Sequence, residues 1–237
     1  MTQSPVYQRI LLKISGESFA SHQSVFCEDT ISFYAEQIAA AYQAGTQIGV
    51  VTGGGNVLRG AKMTYQNIER TTADQIGMLA TVMNTLLLRD LLESKGVKTT
   101  LFCSVPLQGI AHFFDPHAAR QKIQSSVVLY AGGIANPFFS TDTCAAVRAI
   151  ETHCQLLIKL TDCGGIYDSD PKKNTHAKMF DNLSFESVLT QRYAVMDLAA
   201  FSLCNDHRLP ILVTRLSRET TLLDLAFGRK YGTFVQP

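Results

Sequence analysis

Short apolar runs alternate along the chain with segments whose apolar residues recur at helical spacing. The clearest runs lie at 10–14, 48–51, 127–130, 156–160 and 211–214, and they are rich in Leu, Ile and Val. Runs of this kind are typical of strands buried on both faces of a parallel sheet. Helical segments between such strands predict an α/β fold, a three-layer α/β/α sandwich around a mostly parallel sheet.

The composition excludes several classes of protein. The length of 237 residues suits one large domain or two small lobes, and 46% hydrophobic residues can form a large core. A formal net charge of +1 gives no support for a nucleic-acid or membrane-surface partner. No apolar run approaches the roughly 20 residues that span a bilayer. Six cysteines without a Cys-x-x-Cys pair favour reduced thiols in a cytoplasmic protein over disulfides or a zinc site.

The run at 48–51 leads into three glycines, Gly53 to Gly55, and Arg59 follows shortly after them. Glycines lack a Cβ, so the backbone can turn freely and a ligand can come close to its N–H groups. Such a loop suits a phosphate, with Arg59 supplying positive charge. A flexible turn between a strand and a helix would show the same pattern.

The first apolar run contains Lys13. A lysine in a buried strand is costly unless its ammonium meets an anion, and Ser15 and Gly16 offer a hydroxyl and open backbone just after it. The alternative is an edge strand with Lys13 in solvent. We favour an anion-binding lysine because its neighbours in the run are all apolar.

Two further runs end in polar loops that contain glycines. In the loop 132–142, Phe138 and Phe139 can either stack on a base or form a hydrophobic plug, and Asp142 can cap the next helix. The loop 161–170 carries several acids, which ordinary turns also use. Loops after parallel strands meet at one edge of the sheet, so we expect a single crevice suited to phosphates and Mg²⁺. The P-loop and Rossmann glycine spacings are absent from the sequence.

The segment from Thr72 to Leu92 is predicted to form a helix with Asp74 in its first turn. An Asp there either interacts with the helix dipole or accepts hydrogen bonds from ligand hydroxyls. Met78 and Met83 are interpreted as core filling. The apolar stripe of this helix exceeds what a solvent-facing helix tolerates, which favours a subunit contact. The stripe consists of Ile76, Leu79, Ala80, Met83 and Leu87.

Six segments together resemble the bacterial uridylate kinases of the amino acid kinase superfamily. They lie at 11–17, 53–60, 74–84, 136–142, 166–171 and 196–201. The lysine strand and the glycine loop occur across the superfamily, whereas the Asp74 helix and the Asn-Pro-Phe-Phe loop are specific to the uridylate branch. The resemblance implies one amino acid kinase-like domain over residues 1–237 that phosphorylates UMP to UDP with ATP, in pyrimidine nucleotide biosynthesis. It also implies a homohexamer and a Mg²⁺ ion held through ATP phosphates rather than by a protein metal site.

The resemblance also implies the roles of site residues. Lys13 and Arg59 are expected to stabilise the moving phosphoryl group, and Asp142 to order these two side chains. The expected ATP contacts are Lys13, Ile14, Ser15, Gly16, Gly55, Arg59, Thr161, Tyr167 and Asp170. The expected UMP contacts are Gly54, Asp74, Ile134, Ala135, Asn136, Pro137, Phe138, Phe139, Ser140 and Thr141. The UMP site would thus lie mainly in the N-terminal part and the ATP site mainly in the C-terminal part.

Two positions depart from the family pattern. Relatives commonly read Lys-Val-Asp-Gly-Val-Tyr where residues 162–167 of this chain read Asp-Cys-Gly-Gly-Ile-Tyr. Asp162 therefore adds a negative charge near the expected ATP site. Gly164 replaces a turn aspartate, and glycine should keep the backbone options of that turn.

Regulation by nucleoside triphosphates is a further implication of the resemblance. We expect UTP to inhibit, because the UMP site need only admit a longer phosphate chain. Glu93 and Thr100 stand where GTP-activated relatives carry a His and an Arg. The negative charge of Glu93 would repel a triphosphate, so we expect weak or absent GTP activation, unless residues such as Lys95 supply the contacts.

Two other functions share part of this pattern. A kinase for an amino acid or carbamate would have the same lysine strand and glycine loop, but the Asn-Pro-Phe-Phe loop and the Asp74 helix speak against it. A non-catalytic nucleotide sensor would keep the fold alone. Four intact residues speak against a sensor, namely Lys13, Arg59, Asp142 and Asp170.

Overall fold

The computed structural model describes residues 4–57, 68–193 and 195–237. Its strands are β1 (Arg9–Ile14), β2 (Gln47–Thr52), β3 (Thr99–Cys103), β4 (His112–Phe113), β5 (Val127–Ala131), β6 (Leu156–Leu160), β7 (Asn182–Ser184), β8 (Ile211–Thr214) and β9 (Thr233–Gln236). They form one sheet in the order β4-β3-β5-β2-β1-β6-β8-β9-β7. Neighbouring strands are parallel except for the antiparallel pair β8 and β9.

Helices cover both faces of this sheet. They are α1 (Glu28–Gln43), α2 (Arg70–Ser94), α3 (Pro116–Lys122), α4 (Thr141–Glu151), α5 (Phe185–Gln191), α6 (Leu198–Asp206) and α7 (Leu222–Ala226). One apolar core joins α1, α2 and α7 to the sheet, and a second joins α3, α4, α5 and α6 to the opposite face. The predicted three-layer α/β/α sandwich is therefore confirmed.

Strand β1 shows how the two cores are separated. Its residues alternate between the faces, so that Ile10 and Leu12 join the core under α1 while Leu11 joins the core under α4. All three side chains are fully buried, and each such burial contributes about 1.5–3 kcal/mol. The same alternation directs Lys13, two residues after Leu11, toward α4.

The five strands predicted from the apolar runs all form, within one residue of their predicted ends. Strands β4 and β7 were not predicted, because two or three residues carry too little pattern to distinguish a strand from a loop. A 3₁₀ turn at Gly16–Phe19 follows β1 and was not predicted either.

Helix α2 corrects two expectations. It begins at Arg70, so Asp74 lies in its second turn rather than its first. Met78 is buried as predicted, but Met83 is 41% exposed and does not fill the core. The difference arises because Met83 lies on the face of α2 that points away from the sheet.

All six cysteines are unpaired thiols, as the sequence predicts. Over the described ranges, none of the helices has both the length and the apolar character that a membrane crossing requires.

Candidate active site

Two adjoining cavities open at the carboxyl ends of the central strands. One, of about 480 Å³, lies among the loops after β1, β2 and β5 and the first turns of α2. The other, of about 800 Å³, lies over the loop after β6 and the end of α5. Ser15 and Lys159 line both cavities. The two spaces therefore meet at the point where β1 and β6 end.

A buried carboxylate binds two lysines at this meeting point. Lys13 Nζ lies 2.7 Å from Asp142 Oδ1, and Lys159 Nζ bonds the same oxygen. Lys13 and Lys159 are partners in the β1–β6 register, which puts their side chains on the same face of the sheet. Lys13 is buried on a central strand, so the edge-strand alternative for it is wrong.

The cluster carries one more positive than negative charge. Burial alone would raise the pKa of Asp142, but the charges of Lys13 and Lys159 outweigh it and hold that pKa below its usual value. Burial, followed by the charge of Lys13, lowers the pKa of Lys159 to about 8, although Asp142 acts in the opposite direction. Two buried ammonium groups on one carboxylate are electrostatically complementary to an additional anion, such as a phosphate.

Asp142 does not cap helix α4, which was its alternative role. The cap is Ser140, whose Oγ accepts the N–H groups of Asp142 at 2.9 Å and Thr143 at 3.4 Å. Ser140, Thr141 and Asp142 all line the smaller cavity. The N-terminus of α4 therefore faces that space, and helix N-termini favour anions.

The glycine loop after β2 serves close packing rather than an unusual backbone turn. Gly53 and Gly54 do not adopt positive φ angles. A Cβ on Gly53 would lie 2.7 Å from Gly16 N, and one on Gly54 would lie 2.5 Å from Gly77 O. Any side chain here would separate the β1 loop, the β2 loop and α2, which together form the floor of the cavity.

Asp74 holds the loop after β5 from the side of α2. Its Oδ2 accepts the N–H of Phe138 at 2.8 Å, and its Oδ1 accepts Arg70 Nε at 2.8 Å. The Arg70 guanidinium lies 5.8 Å from the centre of the Phe138 ring. Phe138 and Phe139 are 67% and 53% exposed, so the plug interpretation is wrong. Both rings line the cavity, where stacking on a base stays a prediction.

The loop after β6 is held mainly by bonds within itself. Thr161 Oγ1 accepts the N–H of Gly164 at 3.1 Å, and the Tyr167 hydroxyl donates to the Cys163 carbonyl at 3.0 Å. Gly164 has a φ of 78°, a conformation that few other residues adopt easily. This φ angle confirms that glycine at position 164 provides the left-handed backbone conformation that the turn uses. The carboxylate of Asp162 is largely in solvent, 3.7 Å from Lys172 Nζ.

Comparisons with known proteins agree with this geometry. The model of the amino acid kinase family matches residues 8–215. A uridylate kinase of Alcanivorax borkumensis is 39% identical, with 99% of this chain and 94% of that protein covered. A uridylate kinase of Saccharophagus degradans is 38% identical, with coverages of 97% and 94%. This chain belongs to the uridylate kinases of the amino acid kinase family.

Solved structures of uridylate kinases have the same fold. The crystal structure of UMP kinase from Bacillus anthracis superposes with a TM-score of 0.92 at 31% identity, covering 97% of this chain and 96% of the other. That of UMP kinase from Ureaplasma parvum gives a TM-score of 0.90 at 32% identity, covering 98% and 99%. The family resemblance predicted from the sequence is thus confirmed.

Most of the residues predicted for a uridylate kinase site surround the two cavities. The smaller cavity is lined by the predicted Lys13, Ser15, Gly16, Gly54, Gly55, Asp74, Ile134, Phe138, Phe139, Ser140, Thr141 and Asp142. The larger one is lined by Ser15, Thr161, Tyr167 and Asp170. Of the described candidates, Ile14, Ala135, Asn136 and Pro137 line neither. Arg59 lies outside the described residues.

Lys159 is the residue that sequence reasoning missed. Its strand reads Leu157-Ile158-Lys159-Leu160, which matches the apolar-apolar-Lys-apolar pattern around Lys13. The repeated pattern was a usable signal, because a second lysine in a second buried strand raises the same question about an anionic partner.

Proposed function

We propose that the chain transfers the γ-phosphoryl group of ATP to UMP and forms UDP. The observation that carries the proposal is a pair of adjoining cavities that meet at Lys13, Lys159 and Asp142. A kinase of two nucleotides needs this arrangement, because donor and acceptor phosphates must approach each other in line. The substrates are inferred from the uridylate kinase relatives.

In this mechanism the two lysines neutralise the charge of the phosphoryl group in transit, and Asp142 keeps both ammonium groups in place. Preorganised charges in a site that largely excludes water are the main means of catalysis in phosphoryl transfer. The N-terminus of α4 would hold the acceptor phosphate. UMP attacks through a phosphate oxygen that is already ionised at neutral pH, so no protein base is required.

We expect Mg²⁺ to enter with ATP. Mg²⁺ is usually held by substrate phosphates together with one or two carboxylates. Among the described residues, no group of three His, Cys, Asp or Glu side chains could form a metal site. Asp142 is the carboxylate at the meeting point of the cavities, and it already binds two lysines. When bound, Mg²⁺ would add charge neutralisation at the phosphates.

The smaller cavity is proposed as the UMP site and the larger one as the ATP site. Apart from Lys159, the residues around the smaller cavity lie between Lys13 and Asp142. Apart from Ser15 and Glu17, those around the larger one lie after residue 158. This division supports a single domain whose N-terminal part binds mainly the acceptor and whose C-terminal part binds mainly ATP.

An acceptor screen tests the proposed function. The purified chain is given ATP and Mg²⁺ with UMP, CMP, glutamate, aspartate or carbamate, and ADP formation is measured. We expect turnover with UMP far above that with any other acceptor. Faster turnover with glutamate, aspartate or carbamate would favour the rival kinases, and no turnover with any acceptor would favour a nucleotide sensor.

A homohexamer is proposed from the outer face of α2. Four residues of the predicted stripe are between 36% and 49% exposed, namely Ile76, Leu79, Met83 and Leu87. Their spacing of three or four residues forms one continuous apolar strip, which a second copy can cover. Light scattering at micromolar concentration should report six chains, and Leu79→Glu should lower that mass. A monomeric wild-type chain would contradict the proposal.

We propose that UTP inhibits the enzyme and that GTP activates it little or not at all. The Glu93 carboxylate accepts a hydrogen bond from the Thr99 hydroxyl, so its negative charge is held at the end of α2. A GTP titration at subsaturating ATP should leave the rate within about twofold. A several-fold rise at sub-millimolar GTP would show that Glu93 does not prevent activation.

We place the chain in the cytoplasm, where its nucleotide substrates and its six unpaired thiols are both expected. The net charge of +1 gives no reason to add a nucleic-acid partner.

A further inference from the structure

Arg148 is a buried cation outside the residues that line the two cavities. It lies within α4 and is only 5% exposed. Its guanidinium pairs with Glu151, covers the face of the Phe114 ring at 3.5 Å and donates from Nη2 to Ser104 Oγ at 2.9 Å. Its Nε has no hydrogen-bond partner among the described residues. A buried guanidinium that is incompletely satisfied is costly, so its position calls for a physical reason.

Ser104 connects Arg148 to the proposed acceptor site. The Ser104 hydroxyl donates to the Gly133 carbonyl at 2.7 Å, and Gly133 lines the smaller cavity. A serine hydroxyl has one proton and two lone pairs. Because Arg148 donates to one lone pair, the hydroxyl proton is directed to Gly133, and donation from a charged group strengthens that second bond.

The backbone at Gly133 needs such support. Gly132 and Gly133 have φ angles of 74° and 57°, and two successive glycines in this region retain many alternative conformations. From the side of α2, the Gly132 N–H donates to Thr81 Oγ1 at 2.8 Å. From the side of α4, Ser104 and Arg148 hold Gly133. The two helices therefore hold this loop on both sides of the Gly132–Gly133 peptide unit.

We propose that Arg148 is a positioning residue for the acceptor site. Through Ser104 it holds the Gly132–Gly133 backbone in the shape that presents Ile134 and the residues after it to the acceptor. The identity of the acceptor as UMP rests on the proposed function, but the positioning of the loop does not. ATP binds in the other cavity and should not depend on Arg148.

Ser104→Ala tests this directly, because it removes the connection and leaves Arg148 paired with Glu151. A hydrogen bond to a charged partner contributes more than a bond between neutral groups. We expect the KM for UMP to rise about tenfold and the KM for ATP to stay within twofold. Arg148→Met should have the same selectivity, and Arg148→Lys, which can still donate to Ser104, should restore most of the UMP affinity.

The double variant tests whether Ser104 and Arg148 act through the same hydroxyl or independently of each other. Ser104→Ala combined with Arg148→Met should raise the KM for UMP little more than Ser104→Ala alone, because both act through one hydroxyl. The matched control is Ser126→Ala, which removes a different serine hydroxyl, one that is buried and bonded to Thr100 at the other end of β5. It should lower Tm without changing either KM.

Hydrogen–deuterium exchange gives a readout that does not depend on activity. In the free protein, Ser104→Ala should speed exchange at residues 131–136 several-fold and leave α1 unchanged. Unchanged exchange there, equal increases in both KM values, or a UMP KM within twofold of wild type would each overturn the inference. Faster loop exchange in a chain that does not phosphorylate UMP would support the inference and contradict only the proposed function.

Discussion

The wall of the smaller cavity is held by side chains from distant helices, some of them buried, whereas the wall of the larger cavity is held mostly by its own neighbours in the chain. On the side proposed for the acceptor, the buried Asn84 donates to the Gly53 carbonyl at 2.7 Å and exchanges hydrogen bonds with Asn56. On the side proposed for the donor ATP, Asp170 accepts the N–H of Lys172 and Asp168 accepts that of Lys178, all in exposed positions.

This difference bears on how each side recognises its ligand. Buried hydrogen bonds between separate elements hold a loop in one geometry before the ligand arrives, so less ordering entropy is lost on binding. Exposed local bonds are weaker restraints and leave the loop adaptable. We therefore expect the acceptor side to respond sharply to single substitutions and the donor side to tolerate them.

The largest effect is expected where the two sides meet. Lys13→Ala removes a preorganised charge, and loss of one such contact lowers kcat by roughly 10²–10³-fold. The fold should persist because Lys159 still pairs with Asp142. Steady-state kinetics and a Tm measurement check both parts, with the exposed Lys98→Ala as control. Turnover within twofold of wild type would remove Lys13 from the mechanism.

Asp74→Asn should raise the KM for UMP much more than the KM for ATP. The substitution abolishes the charge that pairs with Arg70 and weakens the hold on Phe138, so the KM for UMP should rise about tenfold, as a lost charged hydrogen bond predicts. The KM for ATP should change less than twofold. Asp90→Asn, on an exposed part of the same helix, is the matched control. Equal changes in the two KM values would contradict the division into two subsites.

The pH dependence of kcat/KM should show the titration of Lys159. Its pKa of about 8 means that it is protonated below that pH in the free enzyme and loses its charge above it. The quantity kcat/KM should therefore fall several-fold as pH rises through 8. Lys159→Arg, whose guanidinium stays charged, should move this fall upward by more than one pH unit. An identical alkaline limb in the variant would assign the titration to another group.

The lowered pKa of Lys159 also affects stability, which should rise with pH whereas kcat/KM falls. Between pH 8 and the ordinary lysine pKa of 10.5, the unfolded chain binds more protons at this residue than the folded chain. The contribution of Lys159 to the free energy of unfolding should therefore rise with pH over that window. Thermal melts of wild type and Lys159→Arg at several pH values measure it.

The smallest effect is expected on the donor side. Asp162→Lys introduces the lysine expected from the family pattern, but the Asp162 side chain is 69% exposed and lies 3.7 Å from Lys172 Nζ. Exposed charges interact weakly and are screened by salt, so the KM for ATP should fall less than about threefold. A tenfold change would show that this loop is as preorganised as the acceptor side.

The sequence by itself determined the layers of this protein and the edge of the sheet where its site lies. Short runs rich in β-branched residues and Leu, such as 127–130, favour buried strands over helices, so their positions are encoded locally. The loops that follow them must then lie together, because parallel strands end on one side. The glycine loop, Lys13 and the Asp74 helix were identified on this basis, and the family with them.

Only the tertiary structure decided which side chains act together. Asp74 meets Phe138 across 64 residues, Arg148 meets Ser104 across 44, and Ser104 meets Gly133 across 29. No local periodicity encodes such pairs, because each depends on how helices from different parts of the chain pack on one sheet. The repeated lysine pattern marked Lys159 as a candidate, but only the β1–β6 register placed it opposite Lys13 and beside Asp142.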